Sequence, residues 1–258
     1  MSPLRLFAHQ FRSDLVRFWR NPQSRYFTVL LPIVFLVIFE EIFKGTTIVD
    51  GQRITITTFY VPGIMTLGII SASFVNLTQA VVAQRESGEL KRLRGTPLPT
   101  GFVICSRAAV GVVVAIVMSA LLLAIGRVAY NVPIPYSTMP GLLIAVVVGA
   151  ASFACMAFAV STRIGTAEAA APATNLAVLP LYFISGVFVP EGQIPKFLHD
   201  IATVFPIEHL AQAVRGPFIQ THGAGISTAD LLVVAAWGSV ALLIAARTLQ
   251  FSPRTVSR

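Results

Sequence analysis

Charge is what this chain has least of. Only 12% of its 258 residues are Asp, Glu, Lys or Arg, about half of the roughly 25% found in soluble domains. With 55% hydrophobic residues and a mean hydropathy of +0.77, that deficit excludes an ordinary water-soluble core. It indicates an all-α integral membrane protein with a single domain over 1–258. Acid is scarcer still, 11 residues against 19 basic ones, for a net charge of +8. The basic residues gather at the ends of apolar runs, as topology determinants do, so no nucleic-acid partner is expected.

The catalytic inventory is equally thin. No Gly-Lys dipeptide occurs, so a phosphate loop is absent and ATP hydrolysis by that route is excluded. No His-x-x-x-His or His-Glu-x-x-His pair is present, and no metal site, bound cofactor or catalytic residue is expected. His199-Asp200 and Glu208-His209 are the only local acid–imidazole clusters, and interfacial hydrogen bonding is their simplest role. A membrane-embedded enzyme needs acids, histidines or a nucleophile at one depth, which this pattern does not offer. A non-transporting scaffold or sensory module remains a separate alternative. Cys105 and Cys155 lie in apolar stretches and read as small packing residues. No cleavable signal peptide is expected, because Glu40-Glu41-Ile42-Phe43 follows the first apolar run where small residues would be needed.

What the chain does have is long apolar runs. A helix crossing the hydrocarbon core needs about 20 such residues. Six spans are predicted, near 26–43, 58–82, 103–128, 141–160, 169–189 and 227–246. The first leaves Glu40 and Glu41 at an interface or in a polar cavity. In the third, Arg107 and Arg127 stand 20 residues apart, about 30 Å on a helix, and are expected to snorkel outward at either face. Ser227 or Thr228 is a plausible cap for the sixth. An even number of spans puts both termini on one side. If that side is cytoplasmic it holds 14 of the 19 basic residues, so both termini are expected in the cytoplasm.

Two segments outside the spans are also organised. Leu4, Phe7, Phe11, Leu15 and Phe18 recur at helical spacing, with Arg5, Arg12 and Arg20 off that stripe. This predicts a basic amphipathic helix lying in the interface, within 1–25, broken by Asn21-Pro22. The stretch 190–226 is too apolar for a solvated loop, and its prolines at 190, 195, 206 and 217 cut it into short helices suited to dipping into the outer leaflet.

Intramembrane charge marks ion relays, and the span centres hold almost none. Asn76, Thr78, Gln79 and Asn175 are the polar residues there. Helix–helix hydrogen bonding is one role for them; lining a substrate path is the other, assigned to Asn76, Gln79 and Asn175. Glu168 opens the fifth span, where it complements the helix dipole.

The chain therefore reads as a conduit whose energy arrives from elsewhere, which draws attention to one charged island, Arg85-Glu86-Ser87-Gly88-Glu89-Leu90-Lys91-Arg92-Leu93-Arg94-Gly95-Thr96-Pro97-Leu98-Pro99. No charge precedes it back to Arg53, and only Arg107 follows before Arg127. A helix is expected, with Leu90 and Leu93 on one face, Arg85, Glu89 and Arg92 on another, and an abrupt stop at the prolines. It is either a solvated loop obeying the charge rule or a rigid knob presented to a partner.

At these residues the chain resembles the permease subunits of ABC-2 type transporters, in particular bacterial drug and lipid exporters. The island is close to the family's coupling-helix pattern between spans two and three, here 84–101. Leu181-Tyr182-Phe183-Ile184-Ser185-Gly186-Val187-Phe188-Val189-Pro190, with Ile194-Pro195 and Phe205-Pro206-Ile207-Glu208-His209, looks like the family's fifth span and its outer re-entrant helices. The N-terminal helix ending Arg20-Asn21-Pro22 is similar to its interface helix. Ser87 before the glycine departs from the pattern.

The resemblance implies a multi-pass subunit of the bacterial plasma (inner) membrane, exporting an amphipathic drug or lipid. It implies a second permease, identical or not, and two copies of a separate ABC ATPase subunit carrying the ATP and Mg. Arg85, Glu86, Gly88, Glu89, Lys91, Arg92, Arg94, Thr96 and Pro97 would then carry ATPase coupling. Export of a polysaccharide or glycolipid precursor is the alternative. It wants aromatics for sugar stacking, for which spans two and five offer Phe59, Tyr60, Phe74, Tyr182, Phe183 and Phe188.

Overall fold

The computed structural model describes residues 3–49, 52–94, 100–220 and 223–248. The chain opens with α1 (Pro3–Arg20) and α2 (Pro22–Ile42). Asn21 is the single non-helical residue between them, and Pro22 starts the second helix where its missing N–H costs nothing. Phe11, Leu15 and Phe18 of α1 pack on the core while Arg5, Arg12 and Arg20 stay exposed, as the stripe predicts.

A departure from all-α architecture follows. Strands β1 (Thr46–Val49) and β2 (Gln52–Thr55) pair antiparallel, with Thr46 opposite Thr55 and Val49 opposite Gln52. Their β-branched residues favour extended backbone. Thr55 then ends the hairpin by accepting from the Thr58 N–H as the cap of the next helix.

That helix, α3 (Ile56–Glu86), has 31 residues, about 46 Å against a hydrocarbon core of about 30 Å. Every residue from Thr58 to Ile70 is buried, as befits a helix apolar on all sides. Within it, Ser71–Val75 widens into a π-helical stretch.

After the short α4 (Glu89–Arg94) come α5 (Thr100–Tyr130), α6 (Met139–Ser161) and α7 (Ala167–Ile184). A 3-10 turn at Glu191–Gln193 leads to α8 (Lys196–Ala202), α9 (Pro206–Ile219) and α10 (Thr228–Thr248). Among the described residues four helices are long and apolar enough to cross a membrane: α3, α5, α6 and α10. With these, the chain is a multi-pass, predominantly helical membrane protein. Helices α2 and α7 stand where the other two expected spans were placed.

Helix α6 is the central post, packed against α5, α10, α3 and α9. Its seam with α10 is close: a Cβ added at Gly238 would lie 2.6 Å from Ser152 Oγ and 2.7 Å from Ser152 Cα. Small residues permit such approach, which is how helices associate in lipid.

The fifth expected span is shorter than its apolar run. Helix α7 ends at Ile184 rather than near 189 because Gly186, at φ 67°, reverses the chain. Val187 and Phe188 fold back into the core. The returning strand passes so near α3 that a Cβ at Gly63 would lie 2.5 Å from the Val187 carbonyl oxygen. Arg215 of α9 secures the turn: fully buried, it donates from Nη2 to the Gly186 carbonyl and lies 4.4 Å over the Phe59 ring, a cation–π contact. The segment 190–226 divides in two: 192–204 is largely exposed, and the helix after it is buried. Helix α9 is wedged among α3, α6 and α10, with Ile207, Leu210 and Val214 buried.

Candidate functional site

The charged island is not one helix. Arg85 and Glu86 complete α3, Ser87-Gly88 turns the chain, and Glu89–Arg94 forms the separate α4. Gly88 sits at φ 72°, yet a Cβ there would meet nothing within 4 Å. The glycine is needed for backbone conformation and not for space. Its N–H donates to the Arg85 carbonyl at 3.1 Å.

Three ties hold this corner to the bundle. Arg85 is only 4% exposed; it donates to the Ser161 carbonyl at 2.8 Å and to the Ile164 carbonyl, gripping the turn between α6 and α7. Glu86 accepts from the Ala167 N–H at 2.6 Å and so caps α7, where a carboxylate suits the helix N-terminus. Glu89 pairs with Arg17 of α1 at 2.5 Å. Below these, Leu90 is 2% exposed and belongs to the main core. Lys91 and Arg92 point outward. The side chains of Leu93 and Arg94, and Thr96 and Pro97 altogether, lie outside the described residues.

The arrangement ties the end of α3 to the α6–α7 turn and the start of the short basic helix α4 to α1.

The polar residues of the spans do not converge. Asn76 follows the π-helical stretch; its Nδ2 donates to the Ser71 carbonyl at 3.0 Å and to Thr28 Oγ1. It lines a cleft of about 410 Å³ beneath α1. Gln79 is half-buried and Asn175 is exposed on α7, and neither lines that cleft. Of the six aromatics considered for sugar stacking, Phe59, Tyr60, Phe74, Tyr182 and Phe188 are buried and Phe183 is exposed, at 53%. They pack on neighbouring rings, as in Phe39 stacked on Tyr60 at 4.9 Å and Tyr182 edge-on to Phe188 at 5.8 Å.

At the far end, the acid–imidazole neighbours in sequence are not partners in space. His209 Nδ1 lies 2.7 Å from Asp230 Oδ1 and its Nε2 lies 2.9 Å from the Thr203 carbonyl. His199 faces Glu208 at 3.5 Å. Burial alone would depress the His209 pKa, but the Asp230 hydrogen bond, the Thr203 carbonyl and the nearby carboxylates outweigh it and raise the pKa above the ordinary 6.5. Both ring nitrogens face acceptors, so the imidazolium satisfies both at once.

The sequence matches the ABC-2 type transporter family over residues 5–219. The chain belongs to that family. It is 25% identical, over 69% of its own length and 49% of the other protein's, to the protein of Escherichia coli (strain K12) named "Probable multidrug ABC transporter permease YbhR". It is 21% identical to "Inner membrane transport permease YadH" of the same organism, over 80% of this chain and 82% of that one. The chain thus spans about half the length of the YbhR permease. Both relatives are named as transport components.

Several residues stand differently from what the sequence suggests, or carry no expectation there at all. Arg107 does not snorkel outward: it is 6% exposed, roofed by α1, while Arg127 is exposed. Asp14 is 6% exposed and accepts from Ser106 Oγ at 2.7 Å, tying α1 to α5. It is the lone acid before Glu40, a signal legible in the sequence. Cys105, read as a packing residue, is exposed. Glu40 is buried at 5% exposure, whereas Glu41 is exposed and lies 3.5 Å from Lys44.

Proposed function

We propose that this chain is the membrane-spanning permease subunit of an ATP-driven exporter of amphipathic, drug-like or lipid-like compounds. It crosses the bacterial inner membrane six times, α2 and α7 completing the set, with both termini in the cytoplasm. A separate ABC ATPase, in two copies and carrying ATP and Mg, docks on α4 and on the chain beyond it through Thr96 and Pro97. A second permease completes the pathway.

The observation that carries this reading is the construction of α4. It presents Lys91 and Arg92 to solvent while Leu90 is buried in the core and Glu89 pairs with Arg17 of α1; just before it, Arg85 and Glu86 tie the end of α3 to the α6–α7 turn. A solvated loop needs no such anchorage; a lever does. Arg85 contributes by transmitting movement rather than by touching the partner. The charge count supports the cytoplasmic placement of this end. An amphipathic cargo is favoured over a sugar chain because five of the six aromatics that sugar stacking would use are packed inside this chain.

The test is the double variant Lys91→Glu/Arg92→Glu, expressed with the ATPase that copurifies with the wild-type permease. Membrane insertion is expected at wild-type level, with loss of ATPase copurification and of substrate-stimulated hydrolysis. Transport and ATPase association equal to wild type would refute the docking assignment.

A further inference from the structure

The cleft beneath α1 contains an interaction left open by the protein itself. Arg107, two turns into α5, is almost wholly buried, yet among the described residues no group accepts from its Nε or Nη2. These two donors form one edge of the guanidinium, the fork that receives an oxyanion in bidentate fashion. Arginine cannot discharge by losing its proton, so a buried guanidinium calls for an acceptor. The adjacent acids are occupied. Asp14 accepts from Ser106 Oγ at 2.7 Å and from Gln10 Nε2 at 3.1 Å, and Glu89 is paired with Arg17 at the rim.

The rest of the cleft has a different character. Beyond Arg107 an apolar strip runs along Phe18, Ala72, Leu77, Val110 and Val114, flanked by the polar side chains of Asn21, Asn76 and Gln84. Its volume, about 410 Å³, falls within the roughly 300–1,000 Å³ of small-molecule sites. An anion-accepting head beside an apolar trough matches an amphiphile with the same two parts. The cleft also lies under an amphipathic helix whose exposed Arg5, Arg12 and Arg20 suit it to the lipid headgroup layer. Two carboxylates stand near the guanidinium, and their field disfavours a dianion more than a monoanion.

We propose that this cleft is a binding site for a phospholipid, with the phosphodiester monoanion against the Arg107 guanidinium and part of an acyl chain along Phe18, Leu77 and Val114. The proposal rests on the membrane-spanning fold and not on the ATPase reading. Bound there, the lipid bridges α1, α3 and α5 next to α4.

The test uses the purified permease alone in detergent micelles, titrated with dioleoylphosphatidylglycerol and, separately, with dioleoylglycerol, which has the same tails and no oxyanion. Native mass spectrometry reads occupancy. One phosphatidylglycerol is expected to bind at least tenfold more tightly than the diacylglycerol. Arg107→Gln is expected to abolish that difference, and Arg107→Lys to retain part of it. Ala80→Phe, which fills the trough without touching Arg107, keeps the test usable if the arginine variants fail to fold; it is expected to weaken both lipids alike. Equal binding of the two lipids by wild type, or undiminished phosphatidylglycerol binding by Arg107→Gln, would overturn the proposal. So would displacement of the lipid by millimolar inorganic phosphate with no effect of Ala80→Phe, which would indicate a site for a free oxyanion. Because no ATPase is present, failure here leaves the docking of α4 untouched.

Discussion

Removing the Arg85 side chain tests whether the α6–α7 turn is held by α3. Its guanidinium makes one hydrogen bond of 2.8 Å to the Ser161 carbonyl and a second to that of Ile164; a third contact, to Gly165 at 3.4 Å, is too long to count for much. Ser161 is 1% and Ile164 8% exposed, so Arg85→Ala leaves two carbonyls in poor contact with water. Hydrogen bonds to charged groups contribute about 1.5–3 kcal/mol each. Two amount to roughly 3–6 kcal/mol, and the exposed flank at Gly165 lets water recover part of that. A net loss of about 3 kcal/mol corresponds to about a 100-fold rise in the opening equilibrium of the turn. Amide hydrogen exchange of the reconstituted permease reads this directly. Protection across 161–169 is expected to fall by about that factor, with α10 unchanged. Arg85→Lys should fall between, because an ammonium cannot reproduce the fork. Coupled transport should drop while insertion persists. Exchange at 161–169 within threefold of wild type would refute the assignment of Arg85 as the link.

Gly88→Ala, at φ 72° with open space around it, is expected to cost about 1–2 kcal/mol, seen as faster exchange in α4; Gly88→Asn should cost less. Gly238→Ala places a Cβ 2.7 Å from Ser152 Cα, so the helices must part at a cost of about 1–3 kcal/mol. Its thermal midpoint in detergent should drop, whereas Gly216→Ala, whose Cβ meets nothing nearer than 3.6 Å, should be tolerated. The raised pKa of His209 gives a signed pH dependence. Its stabilising contribution is fully present below the ordinary value of 6.5 and is lost as pH rises through the raised folded value. Exchange in α9 should therefore accelerate on the alkaline side in wild type, and His209→Gln should flatten that dependence.

Much of the architecture was legible because lipid imposes simple rules. Apolar runs of spanning length, the N-terminal stripe and the break at Asn21-Pro22 all follow from local periodicity and the missing proline donor. The hairpin at 46–55 was overlooked because two four-residue strands leave little periodic signal beside spans five times longer. The early end of α7 was hidden for another reason. Leu181 to Val189 is apolar throughout, and the stop at Gly186 depends on the Arg215 and Gly63 contacts made from elsewhere in the chain.

For the island, composition alone marked the segment: a cluster of charge between uncharged runs has no reason to enter lipid. Sequence also showed that no phosphate loop occurs in this chain. Only the tertiary structure separated the island's members. Arg85, Glu86 and Glu89 turn toward carbonyls, an N–H and an arginine from segments 76 to 81 residues away or more than 70 residues earlier, while Lys91 and Arg92 are left outside. The same holds for Arg107, which a hydropathy pattern places at an interface and which α1 covers. Burial of a charge is decided by whichever distant element packs over it, and no local pattern encodes that choice.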